Sequence, residues 1–163
     1  MKNLLAISFI SLFLVNIAMA GDSEARFPKN PNLVETPGKL CSHPTALRYP
    51  EKIAYCERNV DTYTKNTVIT KYDKLFGYSI RQMNRGDFKI DHLIPLCAGG
   101  ANDEENLWPQ HKSVYEITDQ LEPILCEKMA AGRLKQADAI KLIMQAKMNL
   151  DQASVILKQI IKL

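Results

Sequence analysis

A short central segment, residues 88–108, constrains the fold of this 163-residue chain more than any other part. Its first residues alternate apolar and polar side chains with the period of a β-strand, and Pro95 ends the run. Gly99-Gly100 and Asn102-Asp103 are typical of hairpin connections. Leu107-Trp108 then returns as a second short strand, with Trp108 as a core anchor. The segment therefore predicts a β-hairpin.

A helix is predicted directly after this hairpin. Apolar residues recur there at helical spacing up to Gly132, which favours a helix end: Val114, Ile117, Leu121 and Leu125. The predicted order is strand, strand, helix.

Three further helices are predicted outside the hairpin. One runs from Asn66 to Gly77, with Val68, Tyr72, Leu75 and Phe76 as its apolar face. Residues 134–163 predict two more, the second capped by Asp151 and packed through Val155, Ile156, Ile160 and Ile161. An apolar helix face of this kind more often packs on the protein core than on a membrane surface, so a membrane-surface role for this lysine-bearing end is the less favoured interpretation.

The first forty residues predict export and then an extended lead-in. Residues 1–20 have a basic start, an apolar run and an Ala-Met-Ala cleavage site, which is the pattern of a secretory signal peptide. In the lead-in, residues 21–40, the stretch 27–38 contains three prolines and a glycine, which disfavour regular elements. Residues 41–163 suit a single domain. We expect a periplasmic or secreted protein with no stable membrane insertion.

The four cysteines predict disulfides, because an even number in an exported protein favours pairing over free thiols. Three pairings are possible, and we favour Cys41–Cys56 and Cys97–Cys126. Each would contribute about 3 kcal/mol by the loop-entropy argument. A zinc site is weakly supported, because the chain has no C-x-x-C or paired Cys/His spacing.

The central motifs resemble those of a known nuclease family. The chain resembles the HNH family of ββα-metal endonucleases, in particular its exported bacterial members. The resemblance is carried by Asp91-His92, Gly99-Gly100, Asn106-Leu107-Trp108-Pro109 and the helix after them. The resemblance covers about the central third of the chain. It implies an α+β fold with a ββα-metal core hairpin and helix, additional flanking helices and disulfide staples. It also implies metal-dependent hydrolysis of DNA, with RNA left open as an alternative substrate.

The resemblance assigns roles to three residues. Asp91 would bind the metal, His92 would act as the base, and Asn106 would brace the loop and help to hold the base. These residue types suit the reaction, because an anionic phosphodiester needs a base for the attacking water and a cation for the developing charge. Neighbouring residues on a strand point to opposite faces, so Asp91 and His92 serve one site only with a local distortion.

The remaining metal ligand is ambiguous. Where the family has a His or Asn near the helix start, this chain has Tyr115 and Glu116. Our candidates, in order, are Glu116, His111 and Asp119. The expected cofactor is a divalent ion, Mg²⁺ first, with Mn²⁺ and Zn²⁺ as alternatives.

Basic residues near the motif are candidates for phosphate binding, although ordinary surface charge explains each equally well: Arg81, Arg85, Lys89 and Lys112. The net charge of +3 does not by itself require a nucleic-acid partner. No recognition helix or zinc finger is evident in the sequence, so we expect little sequence specificity.

Two other classes of function stay open at this stage. A non-catalytic exported nucleic-acid-binding module would keep the hairpin as a scaffold without a bound ion. A disulfide-stapled interaction protein would bind neither metal nor nucleic acid. The ambiguity at Tyr115 and Glu116 is the sequence feature that supports both alternatives.

Overall fold

The computed structural model describes residues 26–163, so the expected signal peptide, residues 1–20, lies outside the described residues. The chain is α+β, as predicted, with short single-turn 3₁₀ segments between the main elements. Those elements are β1 Ala46–Arg48, β2 Ile53–Tyr55, α1 Thr62–Phe76, β3 Phe88–His92, β4 Leu107–His111, α2 Lys112–Thr118, α3 Leu121–Ala130, α4 Gln136–Met148 and α5 Ala153–Ile161.

The predicted central hairpin is confirmed. β3 and β4 pair antiparallel in a continuous register from Phe88↔His111 to His92↔Leu107. Trp108 is fully buried, as expected of a core anchor. The connection is longer than a tight turn, because residues 93–106 contain two 3₁₀ segments.

Two helices follow the hairpin, where a single helix was predicted. α2 ends at Thr118, and Asp119 and Gln120 separate it from α3. Val114 on α2 packs against the hairpin, whereas Leu121 on α3 packs with the C-terminal helices. The interruption lets the chain pass from one core to the other. Ile117, predicted to be buried, is exposed.

The first helix begins earlier than predicted. Asp61 caps α1 by accepting a hydrogen bond from the backbone N–H of Thr64, at 2.7 Å. The helix ends as predicted at Gly77, whose φ of 70° favours glycine. Val68 and Tyr72 are buried and Phe76 is half-buried, but Leu75 is exposed.

The C-terminal region forms two helices, as predicted, but Asp151 does not cap the second one. It lies in a 3₁₀ turn, where its backbone N–H donates to the side chain of Asn149. Ile156 and Ile160 are buried, whereas Val155 and Ile161 are exposed. The apolar face is therefore narrower than predicted.

The hairpin lies between two core clusters. One cluster joins α1 to the hairpin, and the other joins α3, α4 and α5 to the loop after β3.

Both predicted disulfides, Cys41–Cys56 and Cys97–Cys126, are present. The small β1–β2 hairpin was not predicted. Among the helices of residues 26–163, none is both long and apolar enough to cross a membrane.

Residues 26–40 of the expected lead-in form no helix or named strand. They are nevertheless packed on the domain. The buried Thr36 hydroxyl donates to the Leu107 carbonyl at 3.1 Å, and the Gly38 N–H donates to the Glu105 carbonyl at 2.9 Å. The lead-in thus supports the hairpin directly.

Candidate functional site

A small cleft opens where β3 ends and the following loop begins. It has a volume of about 170 Å³. Its charged and titratable lining residues are Arg58, Asp91, His92 and Glu122, and the Cys97–Cys126 disulfide lies in its wall. Asp91 and His92 thus line one cleft although the strand register is unbroken. The distortion expected from the sequence is unnecessary, because both are the last residues of the strand.

The loop beside the cleft is held by Asn106, which is fully buried. Its side-chain oxygen accepts from the Ile94 N–H at 2.9 Å, and its amide nitrogen donates to the carbonyls of Ile94 and Ala101, at 3.0 and 2.9 Å. Gly100 lies against the same residues, and a Cβ there would overlap the Ile94 carbonyl oxygen. Asn106 therefore braces the loop, as the resemblance implies.

The hydrogen bonds around His92 define which nitrogen carries the proton. An Arg58 guanidinium nitrogen lies 3.2 Å from His92 Nδ1. A guanidinium only donates, so Nδ1 accepts and Nε2 carries the hydrogen. Nε2 then donates to the Asn102 side-chain oxygen at 3.0 Å, and the Asn102 amide nitrogen donates to the Glu57 carbonyl at 2.7 Å. The network holds a neutral imidazole whose lone pair faces Arg58.

Burial reinforces the neutral state of this imidazole. His92 is only 4% exposed. Burial lowers its pKa from the ordinary 6.5 to about 4, and the positive charge of Arg58 contributes in the same direction. His92 is thus an unprotonated base at neutral pH.

On the other side of the cleft, Lys147 from α4 joins two carboxylates. Its ammonium nitrogen lies 2.7 Å from Asp91 Oδ2, 2.7 Å from Glu122 Oε1 and 2.6 Å from the His92 carbonyl oxygen. Lys147 is fully buried. The second Asp91 oxygen, Oδ1, lies 3.2 Å from Lys89 Nζ. Both oxygens of Asp91 therefore face ammonium groups.

The pKa values of this cluster follow from competing effects of burial and charge. Burial would raise the pKa of Asp91, but Lys147 and Lys89 hold it below its usual range. Burial raises the pKa of Glu122, and Lys147 offsets only part of that increase. Burial would lower the pKa of Lys147, but the two carboxylates raise it above its usual range. Lys147 and Asp91 are both charged at neutral pH.

The three candidates for the remaining metal ligand lie elsewhere. His111 is at the opposite end of the hairpin, where it caps α2 and stacks on Phe27. Glu116 is exposed on α2. Asp119 comes nearest, because its Oδ1 is 2.5 Å from Lys89 Nζ, which also contacts Asp91. The second carboxylate lining the cleft is instead that of Glu122.

The basic residues considered for phosphate binding all have internal partners. Arg85 donates to the Phe88 carbonyl at 2.7 Å, and Lys112 lies 3.0 Å from an oxygen of Asp87. Arg81 donates to Asn66 and Thr70 on α1. Lys89 borders the Asp91 side of the site.

Four residues of the site were missed by the sequence analysis: Arg58, Asn102 (as a partner of His92), Glu122 and Lys147. Glu122 had a detectable signal, since it lies three residues, about one turn, after the candidate Asp119. Arg58 and Lys147 had none, because they lie 34 and 56 residues from the strand residues they contact.

The side chains at the cleft do not fit the expected divalent ion as they are arranged. Carboxylate and carbonyl oxygens are suitable ligands for a hard cation. However, the oxygens of Asp91, Glu122 and His92 that converge here are bonded to Lys147. Within residues 26–163, no group of three or more His, Cys, Asp or Glu side chains is arranged to hold a metal.

Comparisons of the chain with models of protein families, with curated proteins and with solved structures found no match. The functional argument therefore depends on the geometry of the cleft and on the sequence motifs.

Proposed function

We propose that the protein is an exported endonuclease that hydrolyses phosphodiester bonds of DNA, or alternatively of RNA, with little sequence specificity. The observation that supports this most directly is the buried, neutral His92, which lines the cleft and whose Nδ1 lone pair faces Arg58. A general base needs an unprotonated nitrogen at the working pH, and His92 meets that requirement.

Arg58 suits the binding of a phosphate beside the base. Its guanidinium group is bonded to His92 Nδ1 and to the Ile90 carbonyl, at 3.2 and 3.3 Å. Guanidinium groups form bidentate hydrogen bonds with phosphate oxygens, and these are stronger than hydrogen bonds to neutral groups such as an imidazole or a carbonyl. We expect an incoming phosphodiester to draw Arg58 from the imidazole, which would free the Nδ1 lone pair.

His92 would then take a proton from a water molecule as the water oxygen attacks phosphorus. The bond from phosphorus to the 3′ oxygen breaks, and that oxygen takes a proton from solvent. The products are 5′-phosphate and 3′-hydroxyl ends, as the resemblance implies. Arg58 would stabilise the charge that builds on the phosphate oxygens.

A divalent ion is the cofactor expected from the resemblance, and it would supply further stabilisation of this charge. Asp91 and Glu122 are the residues that would hold it, and both are bonded to Lys147. The expectation of a bound metal therefore depends on the resemblance alone, and as arranged these side chains do not fit one. Export is also part of the proposal, and the two disulfides fit an oxidising compartment such as the periplasm or the extracellular space.

A plasmid-nicking assay tests the proposal. Oxidised protein is incubated with supercoiled DNA, and separately with RNA, in the presence of Mg²⁺, Mn²⁺, Zn²⁺ or EDTA. We expect His92→Ala to reduce nicking by about 10²–10⁴-fold, the usual contribution of a general base. His111→Ala is the matched control, because that histidine lies at the other end of the hairpin, and it should nick normally.

Arg58→Lys adds a test of the phosphate role. It keeps the positive charge but removes the bidentate geometry, so nicking should fall while folding is retained. Normal nicking by folded His92→Ala would disprove the assignment of the base.

A non-catalytic nucleic-acid-binding module is the second candidate. It is favoured by one observation, namely that both nitrogens of His92 are engaged within the protein. Binding of DNA in a gel-shift assay, without nicking in any of the metal or EDTA conditions, would support this candidate.

A further inference from the structure

Lys147 makes an unusual set of contacts for a lysine. Its side chain is fully buried, and its ammonium nitrogen lies within 2.7 Å of three oxygens. Two of these oxygens are carboxylate and one is a backbone carbonyl. An ammonium group has three hydrogens to donate, so all three are used.

The three oxygens would also suit a divalent ion. Asp91 and Glu122 come from β3 and α3, and the His92 carbonyl lies at the end of β3. Oxygens of these types are the ligands that Mg²⁺ and Mn²⁺ prefer. A metal and the ammonium group cannot share the same position, because both need these oxygens at short distance.

Displacing the ammonium group would be unfavourable. Lys147 is fully buried, so its charge would have to leave one set of partners and find others. Asp91 would have to release Lys89 as well as Lys147 to offer both its oxygens. The contacts of the folded protein thus favour its own ammonium group over an added ion.

We propose that Lys147 is the resident cation of this site, filling the position between Asp91 and Glu122 in place of a divalent metal. The folded protein accordingly binds neither Mg²⁺ nor Mn²⁺ there. The inference concerns the cation alone and stands whether or not the protein cleaves nucleic acid. For a nuclease, it means that nicking persists in EDTA.

The experiment measures Mn²⁺ binding directly rather than activity. Oxidised wild-type protein is titrated with MnCl₂ by calorimetry, and free Mn²⁺ is followed by electron paramagnetic resonance. We expect no saturable binding by the wild type at millimolar Mn²⁺. Lys147→Met removes the charge and keeps a long apolar stem, so it should gain one Mn²⁺ per chain and a Tm that rises with Mn²⁺ concentration.

Two further variants control for indirect effects. Lys128 is also largely buried, but its ammonium group donates to the Ile161 carbonyl, at 3.1 Å, and among residues 26–163 it has no carboxylate partner. Lys128→Met should therefore gain no Mn²⁺ binding. The double variant Lys147→Met with Glu122→Gln should lose the binding gained by Lys147→Met.

Several results would overturn the proposal. Wild-type protein that binds one Mn²⁺ per chain, with loss of binding in Asp91→Asn, would show that a metal occupies the site. Folded Lys147→Met that binds no Mn²⁺ would show that the oxygens do not form a cation site. If Lys147→Met fails to fold, the wild-type titration with its Asp91→Asn control still decides. None of these readouts depends on nicking, so failure of the proposed function is recognised separately.

Discussion

The two ends of the β3–β4 hairpin each carry a histidine, and their surroundings differ sharply. His92 is buried, with a hydrogen-bond partner on each ring nitrogen and a cluster of charged groups nearby. His111 is partly exposed, stacks on Phe27 and caps a helix. The same side chain on the same hairpin thus serves a cleft at one end and local helix structure at the other. The two histidines differ in role because they differ in burial and in hydrogen-bond partners.

The largest effect should come from the charged cluster at the His92 end. Lys147→Met leaves Asp91 and Glu122 without their shared partner, and we expect a loss of about 3–5 kcal/mol in the free energy of unfolding. Urea denaturation in EDTA, with the disulfides intact, measures it. Lys128→Met loses only a bond to a carbonyl and should cost about 1 kcal/mol. Equal losses would show that burial of any lysine stem, and not the charge cluster, determines the effect.

Acid should destabilise the protein through His92. The unfolded chain binds a proton below the ordinary pKa of 6.5, whereas folded His92 stays neutral until about pH 4. Stability is therefore lost as the pH falls from about 6.5 to about 4, by about 3 kcal/mol in total.

His92→Gln isolates this contribution. Asp91, Glu122 and His111 also titrate, but wild type and variant share them. We expect the difference in unfolding free energy between the two proteins to change across this pH range. A constant difference would contradict the lowered pKa of His92.

A pair of glycines sharpens the comparison between the two ends. Gly100 lies in the loop at the His92 end, where a Cβ would overlap the Ile94 carbonyl oxygen, so Gly100→Ala should cost about 2–3 kcal/mol. Gly86 precedes β3 at the other end, and the nearest atom to its Cβ would be 3.4 Å away. Gly86→Ala should leave the urea midpoint nearly unchanged. A similar loss for both would mean that the loop after β3 is not tightly packed.

The smallest effect should come from the His111 end. His111 Nδ1 accepts from the Ser113 N–H at 3.2 Å, so His111→Ala removes a helix cap and should cost about 1 kcal/mol. His111→Asn supplies another capping side chain and should recover most of that loss in thermal unfolding. Failure of Asn to recover stability would assign the effect to stacking on Phe27 instead.

Local patterns in the sequence predicted most of the secondary structure. The alternation before Pro95 gave the first strand of the hairpin, and the spacing of Val68 and Tyr72 gave the first helix. The even cysteine count, in a chain expected to be exported, favoured disulfides, and the chosen pairing is confirmed. These features depend on residues close in the chain or on simple counts.

The missed features depend on contacts between distant segments. The chain breaks after α2 because α2 packs in one core cluster and α3 in the other. The helical spacing of apolar residues does not show that they belong to two different clusters. Lys147 looked like an ordinary charged residue, since nothing near it in the chain indicates two carboxylates from β3 and α3. The motif predicted Asp91 and His92 but not the groups that surround them.

The charged groups at the cleft come from the segment after β2, from β3, from α3 and from α4. Such a site forms only when these segments come together, because contacts between remote segments require long loops to close. During synthesis, α4 is the last of these segments to emerge. Until it docks, Asp91 and Glu122 lack the Lys147 ammonium group that they share, so the cleft is completed only late in folding.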